Sequence, residues 1–195
     1  GFIPRYNFEY TFLSDYFSRP NAIDLVPMVC FCDIPLEMVG KHSQKYGSSA
    51  IGMSKKWAMK YGLSPIIYIQ ENSILADAVA SFADAFGQYK SSLISKDSDN
   101  RIFTIISQIA IGVQQLTYFV KQFERAEDLK ENINSIEHTF KKGRFYDERE
   151  WRYVPPSGDG VDSWKLNLST YFNMDDLKIA NEKLQGYKLS FELAD

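Results

Sequence analysis

The stretch Tyr146-Asp-Glu-Arg-Glu-Trp-Arg-Tyr153 organises the predicted fold, and the prolines at 155–156 end it. Side chains of a β-strand point alternately to its two faces. One face of this stretch would carry Glu148, Glu150 and Arg152. The opposite face would carry Arg149, Trp151 and Tyr153. We therefore predict a strand over 150–154 with an acidic face that is the candidate site.

The acidic face has two interpretations that the pattern leaves open. Glu148 and Glu150 on one face repel each other, so one carboxyl pKa rises unless a cation lies between them. That arrangement suits acid–base chemistry or stabilisation of a cationic transition state. In the other interpretation, neighbouring cations such as Arg152 neutralise both acids while Trp151 and Tyr153 fill the core. Pattern alone favours this structural interpretation.

A second sheet segment is predicted upstream, where 27–32 (Pro-Met-Val-Cys-Phe-Cys) is typical of a short buried strand. Asp33 is the predicted N-cap of the next helix, and Pro35 lies in its first turn, where a missing N–H costs nothing. We expect this helix to run to about Tyr46 and to end at Gly47.

Two further strands and a short helix follow. The range 49–53 is predicted as a strand, and Ser54 can cap a helix over 55–61. Gly62 stands in the position where a left-handed glycine closes a helix. The range 65–70 (Pro-Ile-Ile-Tyr-Ile-Gln) is predicted as one continuous strand.

The middle of the chain is predicted to be helical. Apolar residues recur at helical spacing over 74–89 and again over 102–123. The range 126–140 is more highly charged, which indicates a frayed helix or a loop. These segments would form a helical insert at about 73–140.

The C-terminal part is predicted to return to the sheet. We expect a turn at 156–160, a strand over 163–168, a helix over 175–185 and a last strand over 187–193. Strands on both sides of a helical insert indicate the α+β class. The prediction is one domain, 1–195, with a small mixed or antiparallel split sheet.

Composition excludes several functional classes. Net charge is −3, so nothing global attracts nucleic acid, and acidic residues interrupt the one dense basic run, 141–152. Cys30 and Cys32 would lie about 7 Å apart on a strand, too far for a disulfide. No second Cys/His pair completes a zinc site. We expect no metal and two small buried cysteines in the reducing cytoplasm.

A membrane span is also not expected. The range 102–120 has no charged residue, but it contains three glutamines and other polar side chains that lipid would not accommodate. No secretory signal is visible. The sequence predicts a buried core helix here.

Five blocks of the chain resemble the AbiGi family of abortive phage-resistance proteins. They are 27–36, 42–47, 51–58, 65–69 and 146–155, in that order, and the last is the most specific. The resemblance implies the antitoxin half of an abortive-infection system, with a cognate toxin protein as its partner. It also implies that a His-bearing N-terminal strand precedes Gly1 in family members.

A weaker resemblance, to the ADP-ribosyltransferase plan, implies an alternative function. In that plan a late Glu-x-Glu strand binds NAD and stabilises an oxocarbenium-like transition state, which would make Glu150 and Glu148 catalytic. Ser54 matches a residue that follows the middle strand, and Arg5 could bind a phosphate. Asp33, His42 and Arg152 complete the candidate ligand-binding set.

Overall fold

The computed structural model describes residues 1–10, 23–93, 104–105, 108–109, 112, 115–133, 136–156 and 174–191. Its strands are β1 (Arg5–Tyr10), β2 (Ile23–Cys32), β3 (Ser64–Pro65), β4 (Ile67–Ile69), β5 (Val120–Gln122), β6 (Glu124–Arg125), β7 (Leu129–Ile133), β8 (Ile136–Phe140), β9 (Gly143–Arg144) and β10 (Glu150–Tyr153). Its α-helices are α1 (Val39–Tyr46), α2 (Lys55–Lys60), α3 (Ile74–Leu93) and α4 (Met174–Lys183). Short 3-10 turns cover Leu36–Met38, Phe145–Glu148 and Leu184–Tyr187. The predicted α+β class is confirmed.

The main sheet has the strand order β1-β2-β10-β3, and each pair is antiparallel. β10 lies between two neighbours, so both edges of its backbone are hydrogen-bonded. Its register places Glu150 opposite Cys32 and Arg152 opposite Cys30. The stretch that opened the sequence analysis therefore lies inside the sheet.

The chain changes sheets at Ile66. Ile66 N–H donates to the carbonyl of Glu150 (3.0 Å), whereas Ile67 N–H donates to the carbonyl of Phe119 (2.7 Å). β4 then pairs in parallel with β5. The single strand predicted over 65–70 is thus wrong: a short piece serves each sheet. The prediction of a mixed, split sheet is consistent with this geometry.

The odd-numbered face of β2 is covered by apolar side chains. Trp57 of α2 packs there against Phe31 and Trp151, and α4 with its following turn packs Leu184 against Leu25. The aromatic rings meet edge to face, with the Phe31 and Trp57 centroids 5.4 Å apart. Burying apolar side chains of this size supplies most of the folding free energy.

Several local predictions are confirmed. The Ser54 hydroxyl accepts from Trp57 N–H at the start of α2, and Gly62 closes that helix with φ +73°. α1 ends at Gly47 with φ +98°, and α3 covers the predicted range 74–89. These features depend on residues close together in sequence, which is why spacing alone found them.

Other predictions are wrong, for reasons of pairing. Asp33 caps no helix, because its carboxylate binds Lys55 and the turn starts at Pro35 without a side-chain cap. The range 49–53 forms no strand. The helix predicted over 102–123 gives way to a turn at 118–119 and then to β5, where the β-branched Val120 finds a partner in Ile67.

The charged range 126–140 is also different from its prediction, because β7 and β8 form an antiparallel hairpin there. Cross-strand pairs such as Lys130 with Glu137 stabilise it. At the C-terminal end, the strand expected over 187–193 is reduced to one bridge between Phe2 and Leu189. The predicted turn at 156–160, beyond its first residue, and the strand over 163–168 lie outside the described residues.

Within the described part of the chain, no helix is long and apolar enough to span a bilayer.

Replacing Ser54 by Ala should lower the free energy of unfolding by about 1 kcal/mol, because Trp57 N–H loses its cap. Urea unfolding followed by tryptophan fluorescence measures this. Ser48→Ala, at an exposed bend outside any helix, is the matched control and should change little. Equal effects of the two substitutions would contradict the capping role.

Candidate functional site

The candidate site lies on the even-numbered face of β2, opposite the apolar layer. Glu150 and Arg152 project to this face from β10, beside Cys32 and Cys30 of β2. Both charged residues are almost fully buried, and Arg152 is only 1% exposed. A charge removed from water to this degree must be neutralised by close partners.

Arg152 is held by three oxygen atoms. Its Nε donates to Glu150 Oε1 (2.5 Å) and its Nη1 donates to the carbonyl oxygen of Tyr118 (2.7 Å). Its Nη2 lies 3.1 Å from a carboxylate oxygen of Glu9 on β1. Burial would lower the pKa of Arg152, but the charges of Glu9 and Glu150 outweigh it and raise the pKa.

Lys121 of β5 bridges the two glutamates that the sequence singled out. Its Nζ donates to Glu150 Oε2 (3.0 Å) and to Glu148 Oε2 (3.3 Å). The parallel pairing of β4 with β5 brings this lysine over the end of β10. It is the cation between two carboxylates that the repulsion argument required.

Glu148 reaches this position by a different route from the one predicted. It belongs to the 3-10 turn before β10, and Arg149 follows with φ 44°, in the left-handed region. The common strand face for Glu148 and Glu150 is therefore wrong, although the two carboxylates still meet at Lys121. Glu148 Oε1 also accepts from Lys45 Nζ (2.5 Å) and from the Tyr46 hydroxyl (2.7 Å).

These residues form one alternating series, which we call the charge chain. It runs through Lys45, Glu148, Lys121, Glu150, Arg152 and Glu9. Burial would raise the pKa of Glu150, but Arg152 and Lys121 overcome it and lower the pKa to about 2. Burial likewise opposes ionisation of Glu148, but Lys121 and Lys45 hold its pKa below the usual value. Both acids are ionised at neutral pH.

The remaining predicted site residues lie at the margin of the charge chain or away from it. Asp33 binds Lys55 (2.8 Å), and Ser54 is occupied as the α2 cap. His42 stacks against Tyr46 with ring centroids 4.5 Å apart. Arg5 is separate: it lines a groove of about 410 Å³ against α4, with Asn181 opposite.

Cys30 and Cys32 are free thiols, as predicted, but both are exposed, so their predicted burial is wrong. Loss of hydration beside the protein surface and the charge of Glu148 raise the pKa of Cys32 to about 11. Partial burial and Glu150 raise that of Cys30 as well. Thiols held protonated are poor nucleophiles. Among the described residues, no group of His, Cys, Asp or Glu is placed to hold a metal ion.

The geometry of Glu150 limits the chemistry it can perform. Both of its carboxylate oxygens already accept from cations, and its backbone N–H donates to the Tyr68 hydroxyl (2.9 Å). A general acid or base works best with a pKa near the operating pH. A carboxylate with a pKa of about 2 suits permanent charge pairing instead.

Comparison with known proteins places this scaffold. A family described as "Putative abortive phage resistance protein AbiGi, antitoxin" matches residues 2–195. The chain belongs to the AbiGi family. The "Abortive phage resistance protein AbiGi" of Lactococcus lactis subsp. cremoris is 30% identical over 202 residues, covering 97% of this chain and 74% of that protein. No solved structure matches.

The charge chain of this AbiGi family member includes residues that sequence reasoning missed. Glu9, Lys45 and Tyr46 are far from β10 in sequence and gave no spacing signal. Lys121 did leave one, because it is the first charge after the uncharged range 102–120. A single charge next to a long uncharged run is a candidate for a buried ion pair.

Glu150→Gln should lower the free energy of unfolding by about 3 kcal/mol, because Arg152 and Lys121 stay buried without their shared counter-charge. Chemical denaturation measures the loss. Glu137→Gln breaks the exposed pair with Lys130 and should cost less than about 0.5 kcal/mol. Similar losses for the two variants would refute a structural role for Glu150.

The same pair predicts an acid dependence. The folded-state pKa of Glu150 is about 2, against an ordinary value of 4.5, so its stabilisation is fully present above pH 4.5. It is lost as pH falls toward 2. Stability measured across this range should fall more steeply in the wild type than in Glu150→Gln. Parallel curves would show that Glu150 is not ion-paired in the folded state.

Proposed function

We propose that this protein is the antitoxin of an abortive-infection pair and that it acts by binding a cognate toxin protein. The observation that carries the proposal is the match of the family described as an antitoxin along residues 2–195. A phage-resistance role follows from membership of the family, and the binding of a toxin is the step proposed beyond it.

The described surface supports a binding role. Large apolar side chains lie exposed on it, among them Leu36 at 88% exposure and Ile51 at 63%. Scattered exposed apolar residues are ordinary, but grouping within one segment is typical of an interaction surface. Leu36, Val39, Tyr46 and Ile51 all fall within sixteen residues of one another.

The NAD-using alternative has weaker support. It needs Glu150 or Glu148 to face a ligand, whereas Lys121 lies between the two carboxylates and binds both. NAD use therefore stays a prediction of the resemblance. An NAD-dependent rise in melting temperature, absent in Glu150→Gln, would favour it, and release of nicotinamide would establish it.

Co-expression tests the antitoxin proposal. The protein encoded by the adjacent gene is induced in a bacterial host with this chain or with an empty plasmid. We expect growth arrest with the empty plasmid, rescue by this chain, and co-purification of the two proteins. Arrest that this chain does not relieve, with no complex recovered, would refute the proposal.

A further inference from the structure

We infer that α1 and the turn before it form the surface that binds the toxin, and that the toxin presents an acidic surface with apolar residues at its centre. This inference rests on the proposed function. The α1 surface is defined by Leu36, Val39, Lys41, Lys45 and Tyr46.

The first observation is that α1 packs almost nothing. None of its eight residues is buried, and none of the preceding turn is. Val39, His42 and Tyr46 recur at helical spacing, so the helix has an apolar and aromatic stripe. Most helical stability in proteins comes from packing such a stripe. A short helix with its stripe exposed is suited to receive that packing from a partner.

The second observation is how α1 is held. Lys45 and Tyr46 both bind Glu148, the terminal acid of the charge chain. These polar contacts orient the helix from its C-terminal end and leave Leu36 and Lys41 directed to solvent at the other end. The surface is thus positioned by the buried charges without being covered by the core.

The third observation is charge. The range 38–70 contains five lysines and no acidic residue, in a chain whose net charge is −3. Two of these lysines are paired, Lys45 with Glu148 and Lys55 with Asp33. The Lys55 pair also holds the first turn of α2 beside the chain that enters the α1 surface. A positive surface on an acidic protein selects an acidic partner and accelerates its association.

The residue types favour a protein over nucleic acid. Phosphate recognition relies strongly on arginine, whose planar guanidinium binds two oxygens at once. No arginine occurs between Arg19 and Arg101. Leu36, fully open at the start of the surface, matches the apolar contacts that dominate protein interfaces. A second copy of this chain would bring like charges together, which disfavours self-association.

Two double variants test the assignment. Leu36→Asp/Lys41→Glu changes the α1 surface, and Ile179→Asp/Lys178→Glu makes the same two changes on the exposed side of α4. Both should melt at the wild-type temperature, since all four side chains are exposed. Affinity for the purified protein of the adjacent gene is measured by titration calorimetry at low and high salt.

We expect the α1 variant to bind at least about tenfold more weakly, the loss of one strong contact, and the α4 variant to bind as the wild type does. Wild-type affinity should also fall as salt rises. Unchanged binding by the α1 variant would overturn the surface and leave the antitoxin proposal standing. A wild type that neither binds nor rescues growth overturns both. Binding of single-stranded oligothymidylate that only the α1 variant loses would assign the surface to nucleic acid instead.

Discussion

The buried ion pair between Arg152 and Glu150 is the constraint on which the rest of the structure depends. A guanidinium that is 1% exposed would be prohibitively unfavourable without partners. Its partners come from β1, from β10 itself and from the turn before β5. The sheet, the segment at Tyr118 and the second, smaller sheet must therefore assemble together, because each supplies an oxygen or a cation that the others need.

Charge pairing also gives the fold a specific geometry that apolar burial would not. The apolar face tolerates exchange of one side chain for another of similar volume. In the charge chain, the alternation of acids and bases fixes which strand lies beside which. Lys121 fits only between Glu148 and Glu150, and this sets how β5 lies over β10. The most polar part of the interior thus specifies the arrangement of the two sheets.

The charge chain connects the interior to the surface through Glu148. One of its oxygens binds the buried Lys121, and the other binds Lys45 and Tyr46 on the exposed α1. The most distinctive stretch of the sequence thus need not contact a ligand to serve function. It orients a helix that does. Residues of a family's most specific motif can be retained because they position a recognition surface, as well as because they perform chemistry.

Sequence alone determined the local features: the strand at 150–153, the Ser54 cap, the glycines that end α1 and α2, and the α+β class. Each depends on residues within a few positions of one another. It also singled out Glu148, Glu150 and Arg152 and the family to which the chain belongs. Only the tertiary structure decided what those charges do. Glu9, Lys45 and Lys121 come from distant segments, and the choice between a free carboxylate and a neutralised one depends on which cations the fold brings within about 3 Å, the hydrogen-bonding distance.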